Sequence, residues 1–299
     1  MIIGSWNIRG LCSPQKQRAI YSWVNKHKLD IFGILETKMF GLEDAGKFLL
    51  SFKNKGFNYS FGNASAGRIL IFWKSYLHVT ILDEFDQGVL CHVKDGVNFL
   101  FTGFIYGRKD PNRRKLLWDQ LITWSGWCDE DSFMIMGDFN EVLHCGDRSS
   151  SMNTPQSSVD FHNCISNINM QELSALGPHY TWTNKNSQGR MIASKLDRCL
   201  ANLAWLENFN NSYTIVDLPG ISDHCSLILH LERTWSSGPK PFKFYNIWTT
   251  HHLFLQIVEQ HWHNWIDGSP MFVLVQKQKR LKNIFRQFDK QHFSPIAQN

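Results

Sequence analysis

Short apolar runs separated by polar turn residues fill the chain from its start to about residue 231. Many of these runs are rich in β-branched and aromatic residues, a pattern that predicts buried or half-buried strands. Turn signals such as Asp95-Gly96 favour hairpins between several of them. The predicted strands cover residues 2–8, 30–36, 57–61, 69–73, 78–85, 89–93, 97–106, 133–136, 180–183, 196–201, 213–218 and 224–231.

Helical segments alternate with these strands. Pro14 begins a predicted helix that ends near His27, because Ile20, Trp23 and Val24 recur on one face at helical spacing. Further helices are predicted over residues 43–52, 111–127 and 155–168. Strands outnumber helices and mix with them, so the predicted class is α/β or α+β, with sheets packed face to face.

The composition changes near residues 235–239, where two serines, a glycine and a proline follow one another. We place a domain boundary there, so the predicted units are residues 1–234 and 235–299. The second unit carries two amphipathic helical stripes, over residues 251–265 and 271–288. If these stripes face a domain that is missing, four apolar side chains are expected to be partly exposed: Phe254, Trp262, Leu281 and Phe285.

The net charge of +5 is unevenly distributed along the chain. Residues 1–234 carry 23 basic and 23 acidic side chains, whereas residues 235–299 carry the other eight basic and three acidic ones. A neutral body can still bind a polyanion when its acids surround a metal ion and its bases line a rim.

Composition narrows the class of protein further. Hydrophobic residues make up 43% of the 299 positions, which is enough for a sizeable core. No apolar run is long enough to span a membrane, and the N-terminus lacks the pattern of a signal peptide. The seven cysteines are odd in number and form no CxxC pair, so we expect neither zinc nor a disulfide framework, and we expect a reducing, intracellular compartment.

Candidate chemistry lies at the ends of the predicted strands. Residues 134–140 place Asp138 and Asn140 on one face of an extended chain, with Phe139 pointing into the core. Carboxylate and amide oxygens suit a cation such as Mg²⁺ and a phosphate. For this heptapeptide alone, an Asx turn that closes the strand is an equally good interpretation. Four further strand ends carry an Asp, Glu, Asn or His: Asn7, Glu36, Asp197, and the neighbours Asp223 and His224.

As a set, these segments resemble the motifs of the endonuclease/exonuclease/phosphatase superfamily with the DNase I-like fold. The matching phrases are WN at 6–7, ET at 36–37, GDFN at 137–140, LDR at 196–198 and SDH at 222–224. The phrases YTWT at 180–183 and KLDR at 195–198 look most like the endonuclease domain of plant non-LTR (LINE-type) retrotransposons. The tail looks like the segment that such polyproteins carry before a reverse transcriptase. The resemblance implies a four-layer α/β sandwich, in which two packed mixed β-sheets are flanked by helices, followed by a helical tail.

The resemblance also implies a two-sided site around a scissile phosphodiester, with Mg²⁺, or alternatively Mn²⁺, as the cofactor. Glu36 matches the metal-binding glutamate, and Asn7 and Asp223 match residues that hold the metal or its water. Asp138 matches the carboxylate that orients and deprotonates the attacking water. The remaining matches lie beside the phosphate: Asn140, Tyr106, and His224 with Asp197 as its orienting partner.

Some positions bear on the substrate rather than on the chemistry. Residue 9 is Arg where apurinic endonucleases usually carry an acid, and Thr181 and Ser194 stand where those enzymes have aromatic pocket walls. We therefore expect nicking of ordinary or structured DNA rather than a preference for abasic sites. A basic cluster directly after Tyr106 is a candidate phosphate-binding surface, although a solvated face is the default interpretation: Arg108, Lys109 and Arg113.

Two other functions compete with that of a Mg²⁺-dependent DNA endonuclease. One is a phosphatase or phosphodiesterase of the same superfamily that acts on another phosphate ester, and the other is a non-enzymatic retrotransposon remnant. The complete motif set argues against a decayed site. The expected partners are DNA and, for the tail, a reverse transcriptase or another domain, and action on chromosomal DNA implies a nuclear location.

Overall fold

The computed structural model describes residues 1–39, 42–62, 68–96, 98–149, 156–184, 191–231, 242 and 244–293. Its α-helices are α1 (Pro14–His27), α2 (Leu42–Lys53), α3 (Pro111–Trp127), α4 (Gln156–Asn167), α5 (Leu203–Asn208), α6 (Phe254–Trp262) and α7 (Pro270–His292). Its strands are β1 (Ile2–Asn7), β2 (Ile31–Leu35), β3 (Phe57–Gly62), β4 (Ile69–Lys74), β5 (His78–Phe85), β6 (Gly88–Asp95), β7 (Asn98–Tyr106), β8 (Phe133–Asp138), β9 (Gln171–Glu172), β10 (Ala175–Leu176), β11 (Trp182–Thr183), β12 (Ala193–Ser194), β13 (Asp197–Ala201), β14 (Tyr213–Val216) and β15 (Leu227–His230). The predicted starts at Val97 and Pro155, and the predicted boundary at 235–239, lie outside the described residues.

Local sequence explains where two of the long helices begin. The side chains of Ser13 and Asp110 cap α1 and α3, because each accepts a hydrogen bond from a backbone N–H in the first turn. Pro14 and Pro111 follow these caps, in positions where their missing N–H costs nothing. Both helices have the bounds that the sequence predicts.

The strands form two large mixed sheets. The first has seven strands in the order β10-β14-β15-β1-β2-β4-β3, and the second has six in the order β5-β6-β7-β8-β13-β9. The sheets face each other through β1 and β2 on one side and β7 and β8 on the other. They approach closely enough that a Cβ on Gly33 of β2 would collide with the ring of Phe104 of β7.

Helices cover the outer faces of both sheets. One apolar cluster packs α1 and α2 on the first sheet, with Trp23 and Phe52 among its members. A second cluster packs α3 and α4 on the second sheet, around Trp124 and Phe161. The layers are therefore helices, sheet, sheet and helices, which confirms the predicted DNase I-like α/β sandwich.

Strand pairing brings the polar strand ends to one edge of the sandwich. In the first sheet β1 and β2 are parallel, so Asn7 is paired with Leu35, next to Glu36. In the second sheet Asp138 is paired with both Tyr106 of β7 and Asp197 of β13. This register brings together residues that are far apart in the sequence. Side-chain alternation along a single strand could not have predicted this proximity.

The predicted strand over 224–231 begins later than expected, at Leu227. The preceding turn is held by Ser222, whose hydroxyl donates to the carbonyl oxygen of Asn7 and accepts the backbone N–H of His224. Together with an isolated β-bridge between Trp182 and His224, these bonds hold His224 at the sheet edge before the strand begins. Helix α5 and the short strands β9, β10 and β12 carry no apolar pattern long enough to predict them.

The chain divides into two compact units, Met1–Thr234 and Trp235–Asn299. The second unit contains α6 and α7 and has its own small core, in which Trp248, Phe285 and Phe288 are buried together. Leu281 and Phe285, which were expected to be partly exposed if the stripes faced a missing domain, are enclosed by this core. Phe254 and Trp262 pack against it and are only partly buried. Within the described residues, no helix is both long enough and apolar enough to cross a membrane.

Candidate active site

The GDFN turn ends strand β8 and presents Asp138 at the edge of the sandwich. Gly137 adopts φ 140°, where a Cβ would collide with the carbonyl oxygen of Ile105. Asp138 Oδ1 accepts the backbone N–H of Asn140 at 2.8 Å, while Phe139 is buried in the core. The turn is therefore an Asx turn, as one of the two interpretations holds. Asn140 adopts φ 50°, so the expectation of an extended chain through residue 140 is wrong. The interpretation as a cation and phosphate site stays a prediction.

Amide groups from both sheets hold the Asp138 carboxylate. Its Oδ2 accepts a hydrogen bond from Asn7 Nδ2 at 2.8 Å and a longer one from Asn140 Nδ2 at 3.3 Å. The Asn140 side chain also donates to the carbonyl oxygen of Gly107 at 2.8 Å. The Asp138 carboxylate is fully buried, yet it lines an open cavity with Asn7 and Asn140.

His224 lies between two buried carboxylates. Its Nδ1 is 2.9 Å from Asp197 Oδ2, a hydrogen bond that fixes the orientation of the ring, and its Nε2 is 3.7 Å from Asp138 Oδ2. Asp197 is itself held by Thr181, whose hydroxyl oxygen accepts the Asp197 backbone N–H at 2.9 Å. The three side chains form what we term the buried acid–histidine cluster: Asp138, Asp197 and His224.

Burial and neighbouring charges shift the pKa values of Asp138 and His224, the two members of this cluster that line the cavity. Burial raises the pKa of Asp138 to about 6, although His224 and the hydrogen bonds from Asn140 and Asn7 oppose the rise. Burial lowers the pKa of His224, but the charges of Asp197 and Asp138 outweigh it and raise that pKa to about 9. Near neutral pH the carboxylate is therefore ionised while the imidazole is cationic.

A second group of charges lies at the ends of β1 and β2. The Arg9 guanidinium forms an ion pair with Asp223, and its Nε is 3.8 Å from Glu36 Oε2. Lys38 Nζ is 3.4 Å from the other Glu36 oxygen, and Trp182 Nε1 donates to Asp223 Oδ2 at 2.8 Å. We call Glu36 and Asp223 the carboxylate pair.

Tyr106 stands behind Glu36 rather than in the open cavity. It is 7% exposed and hydrogen-bonds to Glu36, while the guanidinium of Arg68 lies 5.9 Å from its ring centroid. Burial, followed by the negative charges of Glu36 and Asp138, raises the pKa of the Tyr106 hydroxyl. The hydroxyl therefore remains a donor and holds the Glu36 carboxylate in place.

A cavity of about 240 Å³ opens onto these groups. This is slightly below the usual range for drug-sized ligands, and it suits one phosphate with its adjoining sugar atoms. Asp223 and Asp197 do not line it but are hydrogen-bonded to Trp182 and His224, which do. Six of the predicted residues line it: Asn7, Glu36, Lys109, Asp138, Asn140 and His224.

The predicted basic cluster is only partly directed to this cavity. Lys109 lines it, but the Arg108 guanidinium makes two hydrogen bonds of 2.6 Å to Asp86. Arg113 is exposed on α3 and does not line the cavity. Instead, the cavity is lined by two cations that the strand-end motifs did not predict there, Arg9 and Arg148.

Arg148 and Trp182 were not predicted as site residues, and little in the sequence could have placed them there. Arg148 follows Asp147, whose carboxylate is paired with the buried Arg198, so a structural ion pair positions the loop. Trp182 is placed by its hydrogen bond to Asp223. By contrast, Thr181 and Ser194 are buried and do not line the cavity. Trp182 and Leu196 line it instead.

Two groups of side chains offer donors that could hold a metal ion. The buried acid–histidine cluster can direct one atom from each residue towards a common point. The carboxylate pair, with the amide oxygen of Asn7 close to Arg9, offers only hard oxygen donors. An all-oxygen set suits Mg²⁺ or Mn²⁺, whereas His224 is already engaged by Asp197 and cationic near neutral pH.

A two-sheet sandwich whose edge carries an oriented histidine, a buried carboxylate and a cluster of oxygen donors defines a hydrolase-like site for phosphate esters. The chain belongs to the Endonuclease/Exonuclease/phosphatase family, whose model matches residues 4–224. The predicted family is thus confirmed. This family consists of hydrolytic nucleases and phosphatases that generally depend on a divalent metal.

Solved structures of similar fold agree with the family. The endonuclease domain of TRAS1, a telomere-specific non-LTR retrotransposon, matches with a TM-score of 0.60 at 13% identity, over 78% of this chain and 99% of that domain. The 3′-5′ exonuclease NExo from Neisseria meningitidis matches with 0.58 at 14% identity, over 78% and 100%. The AP endonuclease LMAP from Leishmania major matches with 0.58 at 15% identity, over 76% and 86%. A search of curated protein sequences finds no match.

Proposed function

We propose that this protein hydrolyses phosphodiester bonds in DNA with the help of Mg²⁺ or Mn²⁺ and that it acts as a nicking endonuclease. The observation that carries this proposal is the arrangement around the cavity, where a buried carboxylate, an oriented imidazolium and an all-oxygen group face one space. A phosphodiester needs these three functions: an activated water, stabilisation of charge on the phosphoryl oxygens and a bound cation.

Asp138 is the proposed general base. Its pKa of about 6 keeps it ionised near neutral pH and still basic enough to accept a proton from water. The amides of Asn7 and Asn140 fix its Oδ2, so the carboxylate cannot rotate away from the cavity. Asn140 lines the same cavity, and its amide would contact a phosphate oxygen by exchanging the longer of its two hydrogen bonds, the 3.3 Å bond to Asp138.

His224 is the proposed charge donor beside the phosphate. Its pKa of about 9 keeps the ring cationic, and Asp197 holds Nδ1 so that Nε2 faces Asp138 and the cavity. A positioned cation stabilises the negative charge that builds on the phosphoryl oxygens as water attacks. Asp197 does not line the cavity, so it is a positioning residue.

Glu36, Asp223 and Asn7 would hold the divalent ion. The chemistry that such an ion supplies is Lewis-acid stabilisation of a phosphoryl oxygen and neutralisation of the approaching phosphate. Tyr106 and Trp182 donate hydrogen bonds to Glu36 and Asp223 respectively, so both carboxylates are held in orientation by their neighbours.

DNA is the proposed substrate, because Lys109, Arg148 and Trp182 surround the cavity with two cations and an aromatic face. The similarity to the TRAS1 endonuclease domain, together with the YTWT and KLDR phrases, supports an origin in a LINE-type retrotransposon. For the unit Trp235–Asn299 we retain the proposal that it contacts a reverse transcriptase or another domain of such a polyprotein.

The proposal is tested by incubating the full-length protein with supercoiled plasmid and separating nicked from intact circles. We expect nicking with Mg²⁺ or Mn²⁺, complete loss on addition of EDTA, and recovery when metal is restored in excess. Nicking by pure protein that survives EDTA would contradict the metal requirement, and the absence of nicking at any metal concentration would contradict the DNA endonuclease.

A further inference from the structure

The feature with the most unusual position in the cavity is the guanidinium of Arg9. It forms an ion pair with Asp223 and lies 3.8 Å from Glu36, so one side chain of the protein already bridges the carboxylate pair. Arg9 is also part of the cavity wall, and 35% of its side-chain surface is exposed. The guanidinium can therefore leave this position without passing through the core.

The backbone around Arg9 is built to present this side chain. Residue 9 adopts φ 50°, a left-handed conformation that few residues other than glycine adopt readily. Three contacts hold it there: its N–H donates to Asn7 Oδ1 at 3.0 Å, its carbonyl accepts from Lys16 Nζ at 2.8 Å, and the next N–H, of Gly10, donates to the Glu36 carbonyl at 2.7 Å. The loop thus carries the guanidinium to the carboxylates as a fixed feature of the fold.

Charge around the carboxylate pair is already compensated by the chain itself. Arg9 contacts both acids and Lys38 contacts Glu36, whereas a divalent ion would need those same oxygens. A cation that approaches the pair meets a bound guanidinium only a few ångströms away, and like charges at that distance repel strongly even near a protein surface.

We infer that Arg9 is an internal competitor for the divalent ion, which binds the carboxylate pair only when the guanidinium moves aside. This inference rests on the proposed function, because it assigns the ion to Glu36 and Asp223. As a consequence of this competition, the free protein binds the divalent ion weakly. The displaced guanidinium then lies in the cavity wall, where a phosphate can bind it.

To measure the competition, Mn²⁺ is titrated into the full-length protein in the absence of DNA. The heat of binding is recorded by calorimetry, and the concentration of free Mn²⁺ is recorded by electron paramagnetic resonance. For Arg9→Gln we expect the Kd for Mn²⁺ to fall at least about tenfold, because two uncompensated carboxylates favour a divalent cation. Arg9→Lys keeps the charge but not the planar fork that bridges two acids, so its Kd falls less, by about threefold.

Lys38→Gln is the matched control, since it removes a cation 3.4 Å from Glu36 that does not bridge the pair. We expect it to change the Kd less than about threefold. An unchanged or higher Kd in Arg9→Gln, or an equal fall in Lys38→Gln, overturns the competition. Circular dichroism is used to check that each variant is folded. If Arg9→Gln does not fold, the smaller fall in Kd expected for Arg9→Lys becomes the test.

Glu36→Gln separates this inference from the proposed function. If Glu36→Gln weakens Mn²⁺ binding while Arg9→Gln leaves it unchanged, the carboxylate pair holds the ion and only the competition fails. If Glu36→Gln binds Mn²⁺ as tightly as the wild type, the ion binds elsewhere and both the site assignment and the competition fail.

Discussion

The two charged groups that face the cavity differ in how their charges are balanced. In the buried acid–histidine cluster a cationic histidine lies between two carboxylates that belong to neighbouring strands, and all three side chains are almost fully enclosed. In the carboxylate pair the balancing charge is Arg9, which is partly exposed and mounted on a loop. The first arrangement is permanent, whereas the second can exchange its cation.

This contrast indicates a division of labour. A permanent, buried cluster is preorganised for proton transfer and charge stabilisation, because its groups need no rearrangement when the reaction begins. An exchangeable cation suits a position where a metal ion and a phosphate enter and leave. On this account the buried cluster performs the chemistry while the carboxylate pair holds the ion.

The largest effect is expected for Asp138→Asn, which keeps the shape of the side chain but removes its basicity. Nicking should slow by about 10³-fold or more, because the attacking water loses the group that accepts its proton. The measurement is the single-turnover nicking rate at saturating DNA. Asp217→Asn is the control, since Asp217 pairs with Lys26 and His27 outside the cavity, and its rate should remain close to that of the wild type. A nearly wild-type rate for Asp138→Asn would rule out the proposed base.

A smaller effect with a distinct pH signature is expected for Asp197→Asn. In the wild type, activity should rise as Asp138 ionises near pH 6 and should fall as His224 loses its proton near pH 9. Without the Asp197 charge, which raises the His224 pKa, the alkaline limb should move to lower pH and the rate should drop by about 10–100-fold. An alkaline limb that does not move would show that His224 is not the group that titrates there.

Little discrimination is expected between abasic and intact DNA, with abasic DNA cut less than about tenfold better. The reason is that Thr181 and Ser194 are buried and cannot form aromatic walls for a flipped-out sugar. The measurement compares matched duplex oligonucleotides with and without one abasic site. A preference of a hundredfold would indicate that Trp182 and Leu196, which do line the cavity, form such a pocket by themselves.

The smallest effect is expected for a chain that ends at Glu232. This truncation removes nine basic and three acidic residues but none of the cavity residues, so the turnover at saturating DNA should be unchanged. Affinity for DNA should weaken by a few-fold at low salt and converge with that of the full chain at high salt. A truncated protein that is folded but inactive at saturation would place the tail within the catalytic domain.

The sequence predicts the fold well where the cause is local. A capping residue followed by proline marks the start of α1 at Ser13-Pro14 and of α3 at Asp110-Pro111. Apolar runs predict the positions of most strands. The juxtaposition of Asn7 with Asp138, and of Asp197 with His224, depends on pairing between distant strands, and only the family resemblance could suggest it. Nothing local indicates that Arg9 bridges two acids or that Arg148 lines the cavity, because long-range loop packing places both side chains there.

The most direct test of the division of labour is metal rescue. The nicking rates of Glu36→Gln and His224→Ala are measured across a wide range of Mn²⁺ concentrations. Glu36→Gln should recover much of its activity as Mn²⁺ rises, because it lacks only a ligand, whereas His224→Ala should stay slow by about 10²–10³-fold at every concentration. Recovery of His224→Ala at high Mn²⁺, with no recovery of Glu36→Gln, would contradict the account and place the ion in the buried acid–histidine cluster.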